Sequence, residues 1–592
     1  MSHSLLPSFF KIETSLMWHY EIASIHPESR FLNITFKIDI DPASFTEVAL
    51  PAWRPGRYEL GNFAKNIRNW CVYDQHGLPL SFTKINKDTW KIQTDGVSQI
   101  EVRYEYYAAQ ADAGACWVDK DLMYVNPVHC LMYLPGNLHV PCSLRVVVPD
   151  DWQIACSMQS KEKHILLAED FHELVDSPFF AAKALHHRTY SVNDYEFHVW
   201  LHGNVKPDWD LILKDFKAFT EIQLSMMHSF PVAEYHFLVL ILPYRFYHGV
   251  EHIKSTVLAL GPDYQFMHKE LYADFLGVAS HELFHAWNVK TLRPDDFVIY
   301  DYSRENYSQL GWVYEGFTTY YGDLFLARSG FFDQTNYFAE INARLQKHFD
   351  SNGRFNYSVA ESSFDTWLDG YVPGVPHRKT SIYDEGSLFA LMLDLYLRRS
   401  SAGKNSLDTL FIRLYQDFAP LKKGYREQDV KLLAIKLSDG GVEKLFDRWI
   451  HQRISYESDL QELLNYVGCY LQRKGAAQVH EKLFGFRVAT EGGVLKVASV
   501  IPGSPAEFAG LSKDDEVIAC NGRKVEQNLN DLMSREKNEV ILSVFTQREL
   551  RNIILKSDGK TYFDQVTIAT IAEANEQQMQ AFTSWTGLKM KL

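Results

Sequence analysis

Two imidazoles and a carboxylate stand close together in the run His281-Glu282-Leu283-Phe284-His285. On a helix, that spacing puts both histidines on one face, one turn apart, with Cβ atoms about 5–6 Å from each other. Both Nε2 atoms then reach a single zinc ion at about 2.0–2.1 Å. Glu282 emerges beside them, where it can take a proton from water that a metal acidifies towards a pKa of about 7. The flanks, Phe275-Leu-Gly-Val-Ala279 and Ala286-Trp287, are apolar on nearly every side, as in a helix at the centre of a domain. Two histidines and a glutamate are costly in such a place unless they have partners, and a metal supplies one.

A catalytic zinc takes three protein ligands and keeps one position open. The segment from Gly311 to Leu324 reads as another apolar helix with a single carboxylate, Glu315, near its start. Glu315 is therefore the expected third ligand, with Thr319 one turn on placed to orient it. Asp323 is the competing ligand, off that face. Gly322 shares the face of Glu315, and a glycine there costs about 1 kcal/mol relative to alanine. A close approach by a second helix is the expected reason for it.

These elements belong to a chain of 592 residues, for which about 150 residues per domain predicts three to five domains. A hydrophobic content of 46% with 14% aromatic residues is that of a globular protein. The net charge of −14 argues against nucleic acid as a partner. No apolar run approaches the roughly 18 residues of a membrane helix, so no membrane association is expected. The first eleven residues lack a basic leader, a long apolar stretch and a small-residue cleavage site, so no signal peptide is expected. Seven widely spaced cysteines without a Cys-x-x-Cys pair predict a reducing, cytoplasmic setting.

Composition shifts divide the chain into residues 1–175, a strand-rich, β-sandwich-like domain; 176–475, a mostly helical domain that holds the metal motif; 476–558, a domain of short strands and turns; and 559–592, an extension with no clear reading. The fold class is thus multidomain α+β. The run Pro51-Ala-Trp-Arg-Pro-Gly-Arg-Tyr58 is too rich in proline and glycine for strand or helix and reads as an ordered loop.

The strings His281-Glu-Leu-Phe-His-Ala-Trp-Asn-Val-Lys290 and Trp312-Val-Tyr-Glu-Gly-Phe-Thr-Thr-Tyr-Tyr-Gly-Asp-Leu324, with the Pro51–Arg57 loop, resemble the M61 glycyl aminopeptidases, a family of gluzincin metallopeptidases. The resemblance extends over most of the chain. It implies a thermolysin-like catalytic domain behind an N-terminal β domain, one zinc ion, and removal of small N-terminal residues such as Gly or Ala from peptides with a free amine.

An aminopeptidase must hold a free α-ammonium at a fixed distance from the scissile bond, and a carboxylate does so by charge-assisted hydrogen bonding. The candidate is Glu251 in Tyr247-His-Gly-Val-Glu-His252, whose placement resembles the gluzincin exopeptidase loop. Gly249 is expected to let substrate backbone approach. The family usually has two adjacent glycines here, where this chain has His248-Gly249. Hydrolysis also needs a donor for the tetrahedral oxyanion. The resemblance implies Tyr383, ahead of a helix with Gly386 near its start. Among 32 tyrosines nothing else singles it out, and Tyr371 and His377 are the alternatives. Glu385 stands where relatives often carry lysine.

The third segment, with Leu483-Phe-Gly-Phe486, a glycine- and proline-rich run to Leu511, and Asn521-Gly522, resembles a PDZ domain of the bacterial-protease type. That resemblance implies capture of a peptide C-terminus by strand addition, with N–H groups of the Phe484–Phe486 turn holding the carboxylate. Two other readings stand beside the zinc aminopeptidase: a zinc endopeptidase, and a peptide-binding PDZ adaptor with a residual metal site.

Overall fold

The computed structural model describes residues 17–591, apart from 42, 59, 370–374 and 537 and the side chains of 367 and 369. It divides into two compact units. The first runs to Tyr307 and includes Lys422–Gly424; the second comprises Ser308–Leu421 and Tyr425–Leu592. The division falls between His285 and Glu315, inside the segment that reads as one domain in sequence.

The first unit opens with a seven-stranded sheet in which Trp18–Ala23, Phe31–Asp39 and Gln99–Tyr107 are consecutive neighbours. Phe31–Asp39 shows why this region reads as strand: Leu32, Ile34, Phe36 and Ile38 are buried while Lys37 and Asp39 face solvent, the alternation of a sheet with one covered face. A second, five-stranded sheet carries Gly249 and Glu251. Its order is His186–Val192, Tyr195–His202, Glu234–Ile241, Ser255–Gly261 and Phe246–Glu251, the last antiparallel and at the end of the sheet. Its middle strand, Glu234-Tyr-His-Phe-Leu-Val-Leu-Ile241, is buried on both faces after its first residue, hence its nearly unbroken apolar run. On one face Leu238, Leu240 and Ala259 share a core with Tyr124, Phe180 and Ala182 of a four-stranded sheet. On the other lie the helix Trp209–Met227 and the motif helix Lys269–Phe284, joined through Phe216, whose ring centroid is 5.0 Å from Phe237 and 5.1 Å from Phe275.

The second unit is helical and then β. Glu315 lies at a break between the short helix Gly311–Tyr314 and the helix Gly316–Arg328; its N–H donates to Gly311 O and its carbonyl accepts from Thr319 N, so the chain winds through it. The helix Ile382–Ser400 is buried along nearly all its length. A six-stranded sheet follows, in the order Phe486–Glu491, Val494–Val500, Glu516–Cys520, Glu539–Thr546 and Glu549–Lys556, with the short strand Arg523–Lys524 also paired to Glu516–Cys520, around Phe484, Phe486, Val497 and Leu542. Asn521 and Gly522 both have positive φ (48° and 73°), the geometry of a tight two-residue hairpin turn. The extension that carried no sequence signal returns to the helices. Gln565–Thr570 pairs with Cys469–Lys474, and the helix Glu576–Thr586 brings Trp585 Nε1 to within 2.9 Å of Tyr320 Oη.

Candidate functional site

In the first unit the motif helix presents His281 and His285 with their Nε2 atoms 3.1 Å apart. Two nitrogens sharing a tetrahedral zinc at about 2.0–2.1 Å would stand roughly 3.3 Å apart, so the pair converges as a metal requires. His285 is the C-cap residue of the helix, and its Nδ1 donates to the Asn288 carbonyl at 2.6 Å. That bond places the proton on Nδ1 and leaves the Nε2 lone pair for a ligand. The donor set thus fits zinc, with Asn288 as an orienting group that the sequence string contained but spacing alone could not single out.

Glu282, 5% exposed, and Glu251, 4% exposed, lie beside this pair: one oxygen from each and one nitrogen of His285 fall within 4.8 Å of one another. Two carboxylates this close and this buried strongly favour a cation between or beside them. Glu251 ends the strand Phe246–Glu251, which runs against the motif helix. A Cβ at Gly249 would collide with Glu282 Oε1 and come within 2.7 Å of Val278 Cγ2. Gly249 thus permits a close approach by the motif helix and its glutamate.

The Pro51–Tyr58 loop reaches the same carboxylate. A Cβ at Gly56, whose φ is +86°, would stand 2.9 Å from Glu251 Oε2, and Tyr58 Oη donates to Glu251 Oε1 over 3.3 Å. Tyr58 itself is buried in the left-handed region at φ 54°, an unusual conformation for a bulky residue. The proline- and glycine-rich sequence of this run marks an ordered loop but no role for it.

In the second unit Glu315 is 2% exposed. The residue after it, Gly316, meets Gly386: a Cβ on Gly316 would lie 2.5 Å from the Gly386 Cα, and one on Gly386 2.7 Å from the Gly316 Cα. This backbone contact seats the start of the Glu315 helix against the turn that follows Tyr383. A helix–helix approach of the kind expected at Gly322 occurs at Gly316. Asp323, the competing ligand, pairs with Arg344; burial pushes its carboxyl up, to about 6. Glu385 is buried and takes both oxygens to His348 Nδ1 at 2.8 and 2.9 Å, while His348 Nε2 accepts from Tyr456 N. His377 is bound to Val500 O and receives Asn352 N–H. Tyr371 lies outside the described residues.

The PDZ turn differs from expectation. Gly485 N–H is directed into the preceding helical turn, at Glu481 O, and the Tyr562 ring stands 3.3 Å from where a Gly485 Cβ would be. One of the donors expected to hold a peptide carboxylate is already engaged. Arg487, on the strand Phe486–Glu491, pairs with Asp350 at 2.6 Å.

Family models match three stretches: the peptidase M61 N-terminal domain over residues 19–183, M61 glycyl aminopeptidase over 274–389, and a PDZ domain over 476–541. No curated protein matches the sequence. Among solved structures, an aminopeptidase N family protein from Idiomarina loihiensis is similar at 25% identity and a TM-score of 0.87, covering 96% of this chain and 100% of that one. An M1 zinc metallopeptidase from Deinococcus radiodurans is similar at 14% identity and a TM-score of 0.45, covering 75% and 95%. The chain is a metallopeptidase. Along its length it matches the models of the M61 N-terminal domain, the M61 glycyl aminopeptidase and a PDZ domain, in that order.

Proposed function

We propose that this protein is a zinc aminopeptidase that removes N-terminal residues from peptides, small ones such as Gly and Ala foremost. The observation that carries this reading is the buried Glu251 carboxylate beside Glu282 and His285. A fixed anion at that distance from a hydrolytic site binds a substrate's α-ammonium and places the first peptide bond, and no later one, at the metal. The description of the matched family, M61 glycyl aminopeptidase, supports the preference for small residues.

His281 and His285 would hold the zinc, one per chain, with Glu315 as the third ligand. The ion supplies Lewis acidity towards the scissile carbonyl and towards water. Glu282 takes a proton from the attacking water and delivers it to the leaving amine, as a carboxylate next to an acidified water can. Tyr383 donates to the oxygen that gains charge in the transition state. Tyr58 restrains the Glu251 carboxylate, so that less freedom is lost when the ammonium arrives. Peptide C-termini are the proposed partners of the PDZ strand Phe486–Glu491, by strand addition. Among the described residues no helix is long and apolar enough to cross a membrane. All seven cysteines are free, which supports a reducing, cytoplasmic location.

The test is mass spectrometry of digests by zinc-loaded protein. The substrates are matched peptides beginning Gly, Ala, Leu or Arg, each with a free and an acetylated N-terminus. Stepwise loss of single residues from free peptides alone is the expected result. Internal cuts that ignore acetylation would overturn the role of Glu251 and leave a zinc endopeptidase. Stoichiometric loss of zinc binding with retained peptide capture would leave a PDZ adaptor.

A further inference from the structure

Asp176, at the C-cap of the short helix Phe171–Val175, lies outside every motif, yet three donors converge on its carboxylate. Lys290 Nζ donates to Oδ1 at 2.7 Å, His252 Nδ1 lies 3.1 Å from Oδ1, and Ile253 N–H donates to Oδ2 at 2.9 Å. The partners come from the two elements that carry the candidate chemistry of this unit. His252 and Ile253 form the turn directly after Glu251. Lys290 ends the turn directly after His285.

Both turns need holding. Glu251 ends its strand, and the turn that follows is gripped from the same short helix by a second pair, Glu173 with Lys254. The turn after His285 contains Val289 at φ 135°, a region that a β-branched residue rarely enters and that persists only where the surroundings impose it. That strained residue follows Asn288, whose carbonyl orients His285, and precedes Lys290, whose N–H closes the turn on His285 O at 3.1 Å. The Lys290 side chain is 2% exposed and His252 is 4% exposed. The Asp176 side chain is 17% exposed, and an ammonium–carboxylate pair so largely withdrawn from water seldom gains net stability over apolar residues of similar volume. Its effect here is geometric.

We propose that Asp176 is a positioning residue that ties the amine-recognition carboxylate to the metal-binding histidine: through His252 and Ile253 it fixes where Glu251 stands, and through Lys290 it fixes the strained turn that orients His285. This inference rests on the proposed aminopeptidase reading. It adds a coupling between the Glu251 turn and the His285 turn, one that runs through Asp176 and not through substrate.

Three variants of the full-length protein test it: Asp176→Asn, His252→Leu and Lys290→Met. Each is assayed for KM and kcat on free-amine peptides and for zinc affinity by competition with a chromogenic chelator, with circular dichroism and thermal melting alongside. Loss of an orienting partner typically weakens metal affinity or activity about 10–100-fold. Asp176→Asn should raise KM and weaken zinc binding, each about tenfold. His252→Leu should raise KM with zinc affinity kept, and Lys290→Met should weaken zinc binding with KM little changed once zinc is saturating. A folded Asp176→Asn protein with both quantities unchanged would overturn the proposal. So would single variants that move KM and zinc affinity equally, in step with lost thermal stability. If Asp176→Asn does not fold, the two single variants decide, since each leaves Asp176 its other partners. The wild-type protein separates the two levels of inference. If it ignores acetylation or binds no zinc, the aminopeptidase reading fails; if it behaves as expected and the variants match it, only the role of Asp176 fails.

Discussion

The two units hold their candidate catalytic groups by different physics. In the first, Glu251, Glu282 and His285 are placed by polar contacts: Tyr58 on Glu251, the Asn288 carbonyl on His285, and Asp176 on the turns behind both. In the second, Glu315 and Tyr383 stand next to backbone packed against backbone, Gly316 on Gly386. A hydrogen-bonded placement is directional and can be weakened one bond at a time. A glycine contact has no such gradation, because any side chain at either position meets main chain that cannot turn away.

That contrast sets the expected results. The largest effect should come from Glu282→Gln, which keeps the shape and removes the base. General-base catalysis contributes about 10²–10⁴-fold, so kcat should fall by that factor while zinc content, measured by atomic absorption, stays at the wild-type level. Glu251→Ala should raise KM for free-amine peptides about 10–100-fold, the size of one lost charge-assisted hydrogen bond, and should erase the discrimination against acetylated peptides. Steady-state kinetics on the paired substrates measures both.

The glycines sharpen the comparison. Gly386→Ala drives a methyl into the Gly316 and Trp312 backbones, at 2.7 and 2.8 Å from their Cα atoms, and should destabilise the protein by about 1–3 kcal/mol or more in denaturant titrations. Gly249→Ala meets side chains of the motif helix, which can shift. Its stability loss should be the smaller of the two, and its loss of kcat the larger, since Glu282 is what must move.

The smallest effect concerns pH. Asp176 is largely shielded from water, which raises a carboxyl's pKa, but Lys290 and His252 beside it hold it well below the usual carboxylate range. A depressed native value favours the folded state above the unfolded value of about 4, and that contribution is lost as pH falls through the native value. Asp323 has Arg344 as its partner and Glu340 nearby, and burial leaves it raised to about 6. Its contribution has the opposite sign: present below about pH 4 and lost as pH rises through about 6. Thermal melts from pH 3 to 7 should therefore show a steeper acid limb for wild type than for Asp176→Asn, while Asp323→Asn should flatten the pH 4–6 region instead. An unchanged acid limb in Asp176→Asn would assign that limb to other carboxylates.

The alternating burial of Phe31–Asp39, the unbroken apolar middle strand and the Asn521-Gly522 turn were all legible in sequence, because each is a local rule of period or backbone angle. The metal motif was legible for the same reason, since a helix alone brings positions 281 and 285 together. The extension after residue 558 was not legible. Its strand Gln565–Thr570 pairs with residues about a hundred positions earlier, and its Trp585 finds Tyr320 across 265 positions. Gly249 was singled out, but its packing against Glu282 and Val278 was not legible: sequence shows that space is required at a glycine, not what fills it.

By itself, then, the sequence determined the residue types capable of the chemistry, the helix that pairs two imidazoles with a glutamate, and the order of β, helical and PDZ segments. Only the tertiary structure decided that Asp176 joins the turns after Glu251 and His285, that Gly316 seats on Gly386, and that Asp323 belongs to Arg344. The reason is range. Periodicity and helix spacing act over a few residues, whereas a carboxylate largely shielded from water takes whichever donors the packed chain brings to it, here from 76 and 114 positions away.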